Sequence, residues 1–314
     1  MPIKIPNDLP ASKILKEENI FVMDETRALS QRIRPLKLII VNIMPTKIVT
    51  ETQLLRLLSN TPLQIEVDWL CMESHNSKNT PQEHLMEFYK TFNEIKDNKY
   101  DGLIVTGAPV EKLKFEDVDY WDELTKIFDW ANTNVFSSFF ICWASQASLY
   151  YYYGVEKYQL KEKLTRLYHM HTHPEKMRRR ILTGLDYHFY APHSRYTSVK
   201  KEDIEKIDSL DILASSNDAG VYLVAEKDGS RFFVTGHPEY DPDTLDKEYH
   251  RDLAKGGDCV MPTNYYKNDD VNDEILVKWR SHAYLLFSNW LNYYVYQNTP
   301  YNLDDLLKMK TTNK

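Results

Sequence analysis

Three cysteines in 314 residues, Cys71, Cys142 and Cys259, are too few and too odd in number for a disulfide framework. None has a Cys or His partner at zinc-finger spacing. Long hydrophobic runs are also missing: no stretch approaches the ~20 apolar residues of a membrane span. The segment MPIKIPNDLPASKILKEENIF has no apolar core of the kind a secretory signal needs. A cytoplasmic protein with free thiols is the expectation. Basic charge is in the minority, 39 Lys and Arg against 46 Asp and Glu, a net of −7. That balance disfavours nucleic acid, whose phosphates demand concentrated Lys and Arg. Internal repeats and low-complexity segments are absent, and 42% hydrophobic with 27% charged residues is an ordinary globular balance. A small-molecule partner fits better.

What the chain does contain is an alternation of strand-like and helix-like segments. Residues 36–44 form a nearly continuous apolar run, followed by Pro45 and a helical pattern carrying Leu54, Leu55, Leu57 and Leu58. This is the pattern of a buried parallel strand feeding a crossover helix. Residues 64–72 read as a second strand. Thr80-Pro81-Gln82-Glu83 has capping-box spacing with Pro at the first helical position, predicting a helix from there to about Ile95. A third strand at 101–107, a helix rich in Trp and Asp, and a strand at 135–141 follow. Parallel strands require crossover connections, so the series predicts an α/β fold with a doubly wound, mostly parallel sheet of flavodoxin-like type.

Beyond Tyr158 the texture becomes basic and His-rich. His169-Met-His171-Thr-His173 followed by Pro174 and Arg178-Arg-Arg180 reads as an exposed basic loop, and without an independent fourth ligand no metal site is expected. The basic run is a weak candidate for meeting anionic phosphates. Asp228-Gly229 between two apolar runs signals a hairpin. Residues 279–297 form a long aromatic helix suited to covering a sheet face or a subunit contact. The boundaries expected are an N-terminal extension at 1–35, one catalytic α/β domain at 36–301 and a tail at 302–314, with helical extensions at both ends.

The chemistry centres on Cys142, where the apolar run Phe136–Ile141 breaks into a helix. A helix N-terminus favours a thiolate, and the carboxyl end of a strand in an open parallel sheet is where ligands bind. Cys71, which also ends a strand-like run, is the internal control: a cysteine in that position is most often a small buried hydrophobe. Far downstream, Gly236-His237-Pro238-Glu239 follows another apolar run. A neutral imidazole is the usual acceptor of a thiol or hydroxyl proton near pH 7, and a carboxylate behind it fixes the tautomer.

The blocks IRPLKLIIVNIMPTKIVTETQLLRLLSNTPLQIEV, SHNSKNTPQEHL, YDGLIVTGAPVEKL, APHSRYT, VTGHPEYDPDTL and WRSHAYLLFSNWLNYYVYQNTPY resemble the homoserine O-acyltransferase family of methionine biosynthesis. The resemblance runs from the first residues to about Tyr301. It implies a fold similar to class I glutamine amidotransferases, a homodimer, no bound cofactor, and a ping-pong reaction with acetyl-CoA as co-substrate and L-homoserine as acceptor. Cys142 would form an acyl-thioester, His237 would deprotonate the acceptor hydroxyl and Glu239 would orient His237. Lys47 and the Trp143 backbone N–H would stabilise the oxyanion. Lys163, Ser194 and Arg251 would bind the acceptor, a guanidinium being suited to a carboxylate.

The resemblance also makes Glu111 the donor filter, glutamate after GAPV going with acetyl-CoA and glycine with succinyl-CoA. A buried carboxylate facing the succinyl carboxylate would cost about 4 kcal/mol at 4 Å and an effective dielectric near 20. The chain departs from the family's elbow at Ala144, Ser145, Ser148 and Tyr152, where two glycines, a histidine and small residues are usual, so Ala144 is expected to crowd the elbow. L-serine as acceptor, one methylene shorter, succinyl-CoA as donor, and a cysteine hydrolase, glutamine amidotransferase or inactive binding protein are the rival readings.

Overall fold

The computed structural model describes residues 34–75, 79–256 and 259–306, and the backbone of 3–5 and 22–24. Strands β1 (Ile3–Ile5) and β2 (Val22–Asp24) pair in parallel as a separate ribbon. Where it is described, the expected N-terminal helical extension is therefore strand, consistent with the extended preference of the β-branched Ile3, Ile5 and Val22. The rest of 1–33 lies outside the described residues.

Among the described residues the main sheet has ten strands. In chain order they are β3 (Leu36–Val41), β4 (Ile65–Leu70), β5 (Tyr89–Lys90), β6 (Tyr100–Val105), β7 (Val135–Ile141), β8 (Lys157–Thr172), β9 (His188–Val199), β10 (Leu210–Ser216), β11 (Gly220–Glu226) and β12 (Arg231–Val234). Their spatial order is β5-β4-β3-β6-β7-β12-β11-β10-β8-β9. The first six run parallel, and the remaining ladders are antiparallel. Among the described residues the helices are α1 (Lys47–Leu58), α2 (Gln82–Phe88), α3 (Phe92–Ile95), α4 (Trp121–Asn134), α5 (Trp143–Tyr153), α6 (Lys201–Glu205), α7 (Thr244–Ala254) and α8 (Arg280–Asn289).

Strand β3 shows why the sheet is doubly wound. Leu36, Leu38 and Ile40 pack in one core with Leu54 and Leu57 of α1 and with Phe287 and Trp290, whereas Ile39 and Val41 pack in the other with Leu124 and Phe128 of α4 and Trp143 of α5. Side chains alternate across a strand, so an uninterrupted apolar run fills both faces. The aromatic stretch near the C-terminus covers one face as its pattern predicts: α8 continues into a π-helical segment, Trp290–Tyr296, whose Trp290 indole donates to Ser137 Oγ of β7 at 3.0 Å.

Three local expectations are corrected. The helix predicted to run to Ile95 stops at Phe88, because Tyr89 and Lys90 pair with Trp69 and Leu70 as an edge strand. Its cap is Pro81 with no side-chain bond; the capping box lies further on, where Thr91 and Glu94 start α3. The His169–His173 stretch is not a loop up to Thr172 but part of β8, with His169 opposite Tyr190 and His171 opposite His188. Tyr168, Met170 and Thr172 are buried, so the histidines are the outward residues of a half-buried strand. The Asp228-Gly229 hairpin joins β11 to β12 as expected, with Gly229 at φ 80°.

Candidate active site

The parallel strand β7, apolar along most of its length, delivers Cys142 to the carboxyl edge of the sheet as the N-cap of α5. Its N–H donates to Val234 O of β12 at 2.7 Å, and its backbone sits at φ 50°, ψ −114°. A non-glycine residue in that region is strained by about 1–3 kcal/mol and is held there by its surroundings. The left-handed backbone falls on Cys142 itself; Ala144, Ser145 and Ser148 lie inside the regular helix, where no glycine is needed. Ala144 is fully buried there in ordinary helical backbone. Ser145 Oγ returns to Cys142 O at 2.6 Å, and Ser148 Oγ bonds Ala144 O at 2.7 Å. Trp143 is the first helical residue, so its N–H has no acceptor within the helix.

His237 follows β12, and its N–H donates to Pro192 O at 2.9 Å. A side chain at Gly236 would meet Pro192 O and a Tyr222 ring carbon at 2.9 Å each, so the strand can make this approach only with glycine. Gly107, just past β6, is packed closely too: a Cβ there would lie 3.3 Å from both Cys142 Cβ and His237 Cε1. The imidazole Nδ1 is 2.6 Å from Glu239 Oε1, and both side chains are buried. Burial alone would push His237 down, but the Cys142 sulfur and the Glu239 carboxylate outweigh it and hold the imidazole well above its ordinary range. The three residues singled out by sequence thus meet as a Cys-His-Glu triad. Sequence reasoning did not find Tyr240, whose ring stacks on His237 and whose hydroxyl donates to Glu248 Oε1.

Cys142, His237, Glu111, Lys163, Ser194 and Arg251 open on one pocket of about 360 Å3. Lys163 Nζ is 2.7 Å from Asp252 Oδ2, and Arg251 reaches Asp252 Oδ1 through two nitrogens at 3.0 and 2.8 Å. The two cations are therefore held by one carboxylate, which lies beside Arg251 in sequence and was missed because α7 reads as a polar surface helix. Burial works against that carboxylate, and the hydrogen bonds from Lys163 and Arg251 bring Asp252 below the usual carboxylate range. Burial raises Glu111 instead, opposed by the charges of His237 and Lys163. Arg195, fully buried, donates to the carbonyls of Thr197 and Ala219 at 2.5 and 2.6 Å and places a cation in the field of Cys142.

Lys47 starts α1 and lines the adjoining cavity with Cys71; its ammonium donates to Asn42 O and lies 5.6 Å from the Tyr89 ring centroid. In the basic run, Arg179 holds Glu226 O at 2.9 Å and Asp211 at 3.5 Å, and Arg180 lies over Tyr293.

The architecture is shared with solved amidotransferases. A glutamine amidotransferase from Thermotoga maritima superposes with a TM-score of 0.57 at 10% identity, covering 84% of this chain and 100% of that one, a likeness in fold alone. In sequence, a homoserine O-acetyltransferase from Catenibacterium mitsuokai is 70% identical over 99% of this chain and 100% of its own length, and one from Acetivibrio thermocellus is 58% identical over 98% and 100%. The family model described as homoserine O-succinyltransferase matches residues 2–301. With that match spanning nearly every residue and the triad in place, the chain belongs to the homoserine O-succinyltransferase family.

Proposed function

We propose that the chain is a homoserine O-acetyltransferase, moving an acetyl group from acetyl-CoA to the hydroxyl of L-homoserine through a thioester on Cys142. The observation that carries this reading is that Cys142 and His237, the latter bonded to Glu239, open on one pocket with Glu111 and the Lys163–Asp252–Arg251 cluster. The Cys142 sulfur attacks the thioester carbonyl, His237 holding the proton it gives up, and the CoA thiolate leaves with a proton from His237. The acceptor hydroxyl then gives its proton to His237 as its oxygen attacks the acetyl carbonyl, releasing Cys142. The Trp143 N–H, at the positive end of α5, faces the developing oxyanion.

Arg251 and Lys163 offer positive charge to the amino-acid carboxylate, and Glu111 selects the donor by excluding a second carboxylate. Incubating the protein with acetyl-CoA and equimolar homoserine and serine tests the reading: O-acetylhomoserine as the dominant product supports it. O-acetylserine in excess assigns serine as acceptor, and free acetate alone assigns a hydrolase.

A further inference from the structure

The carboxyl ends of the parallel strands carry a second hollow beside the Cys142 pocket. It encloses about 640 Å3 over the ends of β3, β4, β5 and β6, lined among others by Ile43, Lys47, Cys71, Leu85 and Val110. Met44, Pro45 and Pro109 line both hollows. The two therefore form one trough along the edge of the sheet, the position where open α/β sheets bind ligands, and the thiol lies in one half of it.

An acyl thioester whose carbonyl reaches Cys142 trails a long arm that must leave the thiol in one direction or the other. On the α7 side the pocket presents fixed charge: Lys163, Arg251, Asp252 and Glu248. Such groups suit a small zwitterion, and an uncharged arm placed among them would desolvate them without replacing their hydrogen bonds. The other half is the roomier of the two, about 640 against 360 Å3, with space for an extended arm. Ile43, Leu85 and Val110 give it apolar wall between polar groups, and Lys47 Nζ adds hydrogen-bond donors, the mixture that binds a neutral ligand. The acidic groups on its rim are already engaged: Glu94 accepts from Thr91 N–H at 2.7 Å, and Glu73 accepts from Asn93 Nδ2 at 3.2 Å.

We infer that this second half of the trough holds the uncharged, amide-bearing arm of the acyl-CoA donor, leaving the charged half to the acceptor on the other side of the thiol. The inference rests on the donor being a CoA thioester. It gives Lys47 a place on the donor side, and it makes Cys71 a wall residue of a binding site.

The wild-type protein carries its own reporters, one thiol in each half. Desulfo-CoA has the arm but no thiol to consume reagent. At about ten times its Kd it is expected to slow alkylation of Cys71 by N-ethylmaleimide about tenfold, read by peptide mass spectrometry, and homoserine is expected to leave Cys71 unprotected. As a second measurement, Leu85→Trp narrows the hollow and is expected to raise the KM for acetyl-CoA about tenfold, about 1.4 kcal/mol of binding. Acetylation of Cys142 by p-nitrophenyl acetate, which has no arm, should not share that loss. Equal alkylation of Cys71 with and without desulfo-CoA, or equal loss on both donors in Leu85→Trp, overturns the inference. Failure of wild-type protein to form any acetyl-enzyme overturns the acetyltransferase reading instead.

Discussion

The ring of Tyr240 stacks on the imidazole of His237, centroids 4.1 Å apart and 19° from parallel, while its hydroxyl donates to Glu248 Oε1 at 2.9 Å. The ring fixes the plane in which His237 faces Cys142, and the hydroxyl ties that plane to the charged wall of the pocket. Tyr240→Ala is expected to lower kcat by about tenfold to a hundredfold through lost orientation of the base. Tyr240→Phe, which keeps the stack, should recover most of it. Equal loss in both variants would place the role in the hydroxyl instead of the ring.

Asp252 is expected to set acceptor affinity through the two cations it holds. Asp252→Asn removes the charge that anchors Lys163 and Arg251, so the KM for homoserine should rise about tenfold, with a smaller change in the KM for acetyl-CoA. Steady-state kinetics with each substrate varied in turn checks this.

Glu111 faces the same pocket as Cys142, partly desolvated. Glu111→Gly should raise the kcat/KM ratio of succinyl-CoA to acetyl-CoA by on the order of a hundredfold, since it removes a like charge from a low-dielectric site. An unchanged ratio would show that donor choice lies elsewhere.

Lys47 gives a stability signal. Burial lowers it from 10.5 to about 8, against the opposing charges of Cys71 and Glu51. Between those values the unfolded chain keeps a proton that the folded chain has released, so this residue's contribution to stability rises with pH from about 8 to about 10.5. Below about 8 the folded state bears the full cost of burying the charge. Lys47→Met is therefore expected to stabilise the protein at pH 7 by roughly 3 kcal/mol, and the advantage should shrink towards pH 10.5. Thermal melts of both proteins across that range measure the difference.

In the parallel half, β3, β6 and β7 were legible because they are buried on nearly all of both faces and read as apolar runs. Strand β8 was not, since one of its faces is largely exposed and its outward histidines imitate a loop. Tyr89–Lys90 was lost inside a helical pattern because a two-residue edge strand owes its form to Trp69 and Leu70 rather than to its own residues. At the site, Cys142 and His237 stood out because each follows an apolar strand, and Glu239 because it lies two residues beyond His237. Tyr240, Glu248 and Asp252 carry no such punctuation and become visible only when α7 folds over the pocket.

The most direct test of the central claim is intact-mass spectrometry of the protein mixed with acetyl-CoA alone. An adduct of one acetyl group is expected, lost in Cys142→Ala and passed from the isolated acetyl-enzyme to homoserine. No adduct, or an adduct that persists in Cys142→Ala, would contradict it.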